Sequence, residues 1–271
     1  MPELPEVETT LRGISPHIKN QTVSHVIIRF PTLRWPIPAN LPQLIEQQSL
    51  LSLRRRAKYL LLNFETGSLL IHLGMSGSLR IVSPETEVKK HEHFEIQFHN
   101  GKGIRLTDPR RFGSVLWLGT EPDSHPLLNK LGPEPLSEGL TAEHLQLKAK
   151  NKRVSIKQFL MNQQIVTGVG NIYCTEALFK SRIHPQRPAS SLSLSEFQAL
   201  TDNIKTILAL AITQGGTSLR DFVGSDGKPG YFKQALDVYG RSGLACTQCQ
   251  TILMSIKQAN RSTVYCPHCQ L

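Results

Sequence analysis

The amino-acid sequence predicts an α+β protein with a mostly β N-terminal part, a helical second part and a cysteine-bearing hairpin at the end. Three observations predict this class: short apolar stretches between turn residues before about residue 132, apolar residues at helical spacing after it, and two Cys-x2-Cys pairs near the C-terminus. The 271 residues are enough for two hydrophobic cores. We predict two such domains, at residues 1–132 and 133–235, followed by the cysteine-bearing segment as a small third domain at residues 236–271.

The N-terminal part is predicted to begin with one short helix. Leu4, Val7 and Leu11 follow helical spacing and Gly13 is a stop signal, so the predicted helix covers residues 3–13. Apolar segments separated by turn residues follow, at residues 59–64, 68–73, 94–98, 104–106 and 114–118. Short strands at such spacing predict a sandwich or a barrel.

The second part begins after the Pro- and Gly-rich segment LGPEPLSEG at residues 131–139. Ser193 and Glu196 have the spacing of a capping box, which marks the start of a helix. Apolar residues then recur on one helical face as far as Gly215 and Gly216. We therefore predict a long helix between the capping box and the two glycines.

Four of the five cysteines form two Cys-x2-Cys pairs that are sixteen residues apart, namely Cys246, Cys249, Cys266 and Cys269. This spacing is typical of a zinc ribbon, in which four thiolates surround one Zn²⁺ ion. Two disulfides are the alternative, and they fit poorly with a chain that lacks a secretion signal. We predict one structural zinc ion, with His268 as a bystander and Cys174 as a small buried side chain.

The chain has 31 Lys and Arg residues against 21 Asp and Glu residues, a net charge of +10. Such a surplus attracts polyanions, so nucleic acid is one candidate partner, and basic residues scattered over an enzyme surface are the alternative. The longest apolar run, residues 207–212, is far shorter than the roughly 20 residues of a membrane span. We expect a cytoplasmic protein with no membrane partner.

The first eight residues, MPELPEVE, contain three acids and no base, against the charge of the whole chain. Removal of Met1 would leave Pro2 as an N-terminal secondary amine, which can attack a carbonyl-like carbon and form an iminium. An α-amino group titrates near pH ~8, so part of it is unprotonated at neutral pH. Glu3 could accept and return protons beside it. Glutamates that complement the dipole of a first helical turn are the alternative.

Seven segments, in order and over nearly the full chain, resemble bacterial formamidopyrimidine-DNA glycosylases. They are MPELPEVE at the start, RRRAKYLL at 54–61, HLGMSG at 72–77, DPRRFG at 108–113, GVGNIY at 168–173, SDGKPGYF at 225–232 and the zinc ribbon. The resemblance implies an N-terminal helix plus β-sandwich domain, a helix-two-turn-helix domain and a zinc-ribbon β-hairpin. It also implies a monomeric repair enzyme that flips oxidised purines, such as 8-oxoguanine and formamidopyrimidines, out of double-stranded DNA, excises them and then cleaves the strand by β,δ-elimination.

The resemblance assigns catalytic roles by motif position. Pro2 would attack deoxyribose C1′, and Glu3 would handle protons as the sugar opens. Lys58 would donate a proton during β-elimination and contact a phosphate, and Arg261 would serve δ-elimination and bind the DNA backbone. From spacing alone, Lys58 would be the solvated end of a strand and Arg261 a solvated surface residue.

The resemblance also implies DNA contacts. Met75, Arg110 and Phe112 would fill the void left by the flipped nucleotide, although Met75 and Phe112 would otherwise be typical core residues. The residues implied to contact the DNA backbone are His91, Arg110, Lys152 and Asn171. The segment 220–231 would close over the flipped base. No obligate protein partner is expected.

Two other functions compete with this interpretation. An endonuclease VIII-type enzyme would act on oxidised pyrimidines, but that type typically begins PEGPE, whereas this chain has PELPE and keeps Arg110 and Phe112. A zinc-ribbon DNA-binding protein without activity would explain the charge and the cysteines. It gives no reason for the acidic start or for Lys58.

Overall fold

The computed structural model describes residues 2–216 and 236–271, which form two compact units. Residues 2–129 and 214–216 belong to the first unit, and residues 130–213 and 236–271 belong to the second. The segment 220–231, predicted to close over a flipped base, lies outside the described residues. The division into three domains at 132/133 and 235/236 remains a prediction.

The first unit contains the helices α1 (Leu4–Ile18) and α2 (Leu41–Ile45) and a set of antiparallel strands. The strands are β1 (Val23–Ile28), β2 (Ser52–Arg56), β3 (Tyr59–Phe64), β4 (Gly67–His72), β5 (Ser78–Val82), β6 (Glu92–Phe98), β7 (Gly103–Thr107) and β8 (Ser114–Trp117). They form two four-stranded sheets with the orders β1-β6-β7-β5 and β2-β3-β4-β8. Side chains from both sheets and from α1 share one hydrophobic core, which confirms the predicted sandwich.

The strands predicted from apolar stretches are the most buried ones. Leu60, Leu61 and Leu62 are completely buried in β3, so this central strand is covered on both faces and has no polar alternation. In β6 the buried residues Phe94 and Ile96 alternate with partly exposed or charged neighbours, as expected where side chains alternate between faces. The predicted limits of these strands agree with the structure to within two residues.

Helix α1 extends beyond its predicted end. Gly13 does not stop the helix, which continues through Pro16 to Ile18. Ile14 and Ile18 are completely buried in the sandwich core, so they prolong the apolar face of the helix. Their burial offsets the cost of about 1 kcal/mol for a glycine inside a helix.

The second unit consists of helices and one hairpin. The elements are α3 (Ala142–Ala149), α4 (Ile156–Leu160), α5 (Asn171–Lys180), α6 (Leu194–Thr213), β9 (Met254–Gln258) and β10 (Arg261–Tyr265). The predicted capping box begins α6: Ser193 N donates to Glu196 Oε2 at 2.7 Å, and Glu196 N donates to Ser193 Oγ at 3.3 Å. Helix α6 packs against α3 and α5, and α5 packs against β10. Within the described ranges, no helix is both long and apolar enough to cross a membrane.

Candidate functional site

The acidic start of the chain is fixed at the N-terminus of α1. Pro2 is buried, and Glu3 is the N-cap residue of the helix. Glu3 and Glu6 form a capping box in which Glu3 N donates to Glu6 Oε2 at 2.8 Å, and each of the two residues is only 2% exposed. The positive end of the helix dipole favours carboxylates at this position. The structure therefore holds Pro2 and Glu3, the predicted nucleophile and proton carrier, in a defined backbone geometry.

Lys58 lies on the two-residue turn that joins β2 to β3. Ala57, the first residue of the turn, has a φ of 55°, in the left-handed region. Helix α1 packs against both strands that flank the turn. Lys58 is 7% exposed, so it is not the solvated strand end that spacing alone suggested. Buried lysines are rare in proteins unless they are paired.

Arg55 connects this turn to helix α1. Its Nε donates to Glu8 Oε2 at 2.8 Å and its Nη1 donates to the Ala57 carbonyl at 2.9 Å. Arg12 Nε binds the other oxygen of Glu8 at 2.9 Å. Burial alone would raise the pKa of Glu8, but the hydrogen bonds from Arg55 and Arg12 outweigh burial and lower it. Glu8 is therefore an ionised anchor between α1 and the strand that leads to Lys58.

His72, at the end of β4, is a site residue that the sequence analysis missed. It lies opposite Tyr59 in the β3–β4 ladder, and their rings are 5.1 Å apart. Burial lowers the pKa of His72 to about 4, and the positive charges of Lys58 and Arg34 act in the same direction. The backbone N–H of Gly74 donates to His72 Nδ1 at 3.1 Å, which requires an unprotonated Nδ1. His72 is therefore neutral at pH 7, and the only sequence signal for it is the first letter of HLGMSG.

Met75 and Phe112 are exposed on two loops that touch each other. They are 38% and 45% exposed, so neither is a core residue. A Cβ on Gly74, whose φ is +68°, would lie 2.5 Å from the nitrogen of Gly113. A Cβ on Gly113 would lie 2.7 Å from the carbonyl of His72. The two glycines thus allow a backbone approach that places Met75 and Phe112 on adjacent loops.

The same surface carries Arg110 and His91. The Arg110 guanidinium lies 4.8 Å from the centre of the Phe112 ring. Asp108, which is completely buried, closes this loop by accepting from Gly113 N at 2.7 Å. His91 has a φ of 71°, and its carbonyl accepts from Asp108 N at 2.9 Å. The structure therefore brings four of the predicted DNA-contacting residues of the first unit onto three connected loops.

Within the second unit, Asn171 and Arg261 meet at the zinc-ribbon hairpin. Asn171, the first residue of α5, donates from Nδ2 to the carbonyl of Ser262 at 3.2 Å, next to Arg261. Arg261 is exposed at the start of β10, after a turn in which Ala259 and Asn260 have φ values of 46° and 61°. Two consecutive positive φ values are typical of a type I′ hairpin turn. Lys152 is exposed elsewhere in this unit, on the segment between α3 and α4.

The four predicted zinc ligands form one cluster. Their sulphur atoms all lie within 4.8 Å of one another, and no disulfide joins them. The distances are 3.4 Å for Cys249–Cys266 and 4.0 Å for Cys246–Cys269, against about 3.8 Å for four sulphurs placed about 2.3 Å from a tetrahedral ion. The residues therefore fit a structural Zn²⁺ ion. His268 is exposed and lies outside the cluster.

Glu176 is a buried group for which the sequence offers no motif. It is 2% exposed on α5 and accepts hydrogen bonds from the backbone nitrogens of Asp237, Val238 and Tyr239 at 2.9, 3.0 and 2.7 Å. Burial raises its pKa, although the three backbone hydrogen bonds oppose this. Glu176 therefore ties the segment before the zinc ribbon to the helix that carries Asn171.

Comparison with known proteins accounts for the whole chain. Three family models match: the formamidopyrimidine-DNA glycosylase N-terminal domain at residues 1–115, the formamidopyrimidine-DNA glycosylase H2TH domain at 131–223, and the zinc finger found in FPG and IleRS at 243–271. A formamidopyrimidine-DNA glycosylase of Psychromonas ingrahamii is 56% identical over 270 residues, which cover 100% of both chains.

Solved structures of the Lactococcus lactis enzyme are similar along their full length. A mutant in complex with DNA containing Fapy-dG has a TM-score of 0.93 at 32% identity and covers 99% of both chains. A complex with DNA containing an abasic site has a TM-score of 0.92 at 32% identity, with the same coverage. Since both sequence and fold agree from end to end, the chain belongs to the formamidopyrimidine-DNA glycosylase family.

Proposed function

We propose that this protein excises oxidised purines, including formamidopyrimidines and 8-oxoguanine, from double-stranded DNA and then cleaves the strand at the resulting abasic site. The family assignment supports the glycosylase activity, and the DNA in the Lactococcus lactis complexes contains the corresponding lesion or abasic site. One observation carries the mechanism. The Pro2–Glu3 start is fixed by the capping box of the helix that packs against the strands flanking buried Lys58.

The chemistry begins at Pro2. Once Met1 has been removed, the lone pair of the proline nitrogen attacks deoxyribose C1′, and the glycosidic bond breaks with its electrons going to the leaving base. The attached nitrogen then loses its N–H proton, and the lone pair that this restores forms the C=N bond of the iminium as the C1′–O4′ bond breaks and the ring oxygen takes a proton. Glu3 is the neighbouring carboxyl group that supplies this proton. Two eliminations follow, in which carbon-bound protons are lost and the 3′ and then the 5′ phosphate leave. Lys58 and Arg261 serve these steps.

The DNA contacts follow from the requirement for base flipping. A base inside a duplex is inaccessible, and flipping its nucleotide costs a few kcal/mol. Exposed Met75, Arg110 and Phe112 lie on adjoining loops of one unit and would fill the vacated stack. The residues proposed to bind the DNA backbone are His91, Arg110, Lys152, Asn171 and Arg261. Acting on DNA, the protein would work in the cytoplasm at the nucleoid.

The central test is borohydride trapping on a duplex that contains 8-oxoguanine opposite cytosine. The protein is prepared with a cleavable N-terminal extension and is assayed before and after the extension is removed. We expect a covalent adduct only after removal, with Pro2 identified as the linked residue by peptide mapping. Absence of an adduct, or equal trapping with the extension in place, would contradict the Pro2 mechanism.

Substrate class is tested separately. Excision rates are compared on duplexes with 8-oxoguanine opposite cytosine and with thymine glycol opposite adenine. We expect the purine lesion to be excised faster, because the chain has the PELPE start and keeps Arg110 and Phe112. A strong preference for thymine glycol would favour the endonuclease VIII-type activity instead.

A further inference from the structure

The segment at residues 29–37, between β1 and α2, lies between two loops that are proposed to bind DNA. On one side, the backbone nitrogens of Arg29 and Phe30 donate to the carbonyl of His93 at 2.9 and 3.2 Å, two residues beyond His91. On the other side, Arg34 N donates to the carbonyl of Gly113 at 3.1 Å, next to Phe112. All of these residues belong to the first unit. The segment is therefore continuous with the proposed DNA surface, although it lies outside the seven segments that resemble the family.

Two buried side chains and one backbone hydrogen bond fix the conformation of this segment. Leu33 and Ile37 are 6% and 4% exposed and belong to the sandwich core. Ile37 N donates to the carbonyl of Pro31 at 2.8 Å, which closes the segment into a compact loop. Arg34 and Trp35 remain exposed at its tip, and 36% of Trp35 is accessible. The burial of Leu33 and Ile37 therefore holds the loop in a defined conformation in which Arg34 and Trp35 are exposed.

Arginine–aromatic pairs recur across this surface. The Arg34 guanidinium lies 4.9 Å from the centre of the Trp35 ring system, and Arg111 lies 4.6 Å from that of Phe30. The spacing resembles that of Arg110 on Phe112, 4.8 Å, which is already part of the proposed site. A stacked guanidinium keeps its in-plane N–H donors available for a phosphate, and an exposed indole offers a face on which a sugar or base can pack.

The positive charge of Arg34 also acts on His72 and Tyr59, which lie close to Lys58. After burial and the charge of Lys58, Arg34 is the third cause that lowers the pKa of His72. The same charge opposes the rise in the pKa of Tyr59 that burial causes. Arg34 therefore adds positive potential beside Lys58, where the phosphates of the damaged strand would lie.

We propose that Arg34 binds a phosphate of the DNA backbone and that Trp35 holds its guanidinium in place and packs against the adjacent nucleotide. This proposal rests on the proposed function. It adds a contact that is carried by the β1–α2 segment to those implied by the family motifs.

The first experiment measures the salt dependence of binding to a duplex with an uncleavable abasic-site analogue, by fluorescence anisotropy. Arg34→Gln is compared with wild type and with Lys19→Gln. Lys19 is exposed at the other end of the 15-residue helix α1, about 22 Å from Glu3. We expect Arg34→Gln to weaken binding and to reduce the slope of log affinity against log salt by about 0.9, the value for one phosphate contact, and Lys19→Gln to keep the wild-type slope. An unchanged slope for Arg34→Gln would overturn the phosphate contact.

The second experiment uses the two tryptophans of the chain. In Trp117→Phe, the fluorescence comes from Trp35 alone, and Phe preserves a ring in the contact of Trp117 with Phe64. We expect the duplex to change the emission of Trp35 and to protect it from acrylamide quenching. Unchanged quenching while the DNA is bound would overturn the Trp35 contact. Failure of the wild-type protein to form a borohydride adduct would contradict the proposed function instead, so the two failures are distinguishable.

Discussion

At the scale of single residues, the three acids of the first eight residues have different structural roles. Glu3 caps α1, Glu6 completes the capping box, and Glu8 binds two arginines. The acidic start is therefore an arrangement of local contacts within a basic chain. Glu3 is the one acid of the three that directly follows Pro2, which fits its proposed proton transfer.

His72 leads to a prediction about pH. Its pKa is about 4 in the folded protein and about 6.5 in the unfolded chain, so between these values the unfolded state binds the proton and the folded state does not. The depressed pKa of a basic group therefore makes stability fall as pH falls from about 6.5 to 4. We expect His72→Gln to remove about 2 kcal/mol of the stability difference between pH 7 and pH 4.5, as measured by urea unfolding.

A matched control is His25→Gln, because His25 is exposed on β1. We expect this variant to keep the wild-type loss of stability between the two pH values. If His72→Gln lost as much stability as wild type on acidification, the neutral state assigned to His72 in the folded protein would be wrong.

At the scale of secondary-structure elements, Arg55 is expected to position the Lys58 turn. Arg55 is 11% exposed and joins Glu8 of α1 to the Ala57 carbonyl, so Arg55→Gln should loosen the turn against the helix. We expect a slower single-turnover rate of strand cleavage and a loss of about 1–3 kcal/mol of stability, with little change in DNA affinity. Arg12→Gln removes the other partner of Glu8, but Arg12 is 65% exposed, so a change of at most about 1 kcal/mol is expected. Equal effects of the two variants would argue against a positioning role for Arg55.

The contact between the Met75 and Phe112 loops gives a prediction of the same kind. In Gly74→Ala the new Cβ would meet the backbone of Gly113 at 2.5 Å, so one of the two loops must move. Gly101→Ala is the control, because Gly101 has a similar φ of +73° but open space around its Cβ position. We expect both variants to lose about 1 kcal/mol for the left-handed backbone, and only Gly74→Ala to weaken binding to lesion-containing DNA as well. The measurements are thermal unfolding and anisotropy, and equal DNA affinities would exclude the loop contact as a determinant of binding.

The elements also show what the sequence could predict. The strands β3 and β4 could be found because continuous apolar residues fill both faces of a central strand. The strand β2, SLRRR, was missed because its arginines are held by contacts distant in sequence, such as Arg55 with Glu8. The same limit applies to the site. Motifs located Lys58 and Phe112, but the burial of Lys58 and the hydrogen bonds of Glu176 depend on tertiary packing.

At the scale of the whole molecule, zinc is expected to control one part of the DNA surface. The cluster of four thiolates anchors the hairpin that carries Arg261, and Asn171 binds the same strand through the Ser262 carbonyl. We expect one Zn²⁺ per chain. Because zinc binding contributes folding energy to small ribbons, Cys266→Ser should release the metal, disorder the hairpin and weaken DNA binding.

Cys174→Ser is the matched control, because Cys174 is buried in α5 and lies outside the cluster. It should retain the metal and the DNA affinity even if it loses stability. The measurements are metal content by mass spectrometry and anisotropy with lesion-containing DNA, and a zinc-free Cys266→Ser protein with wild-type affinity would contradict this role.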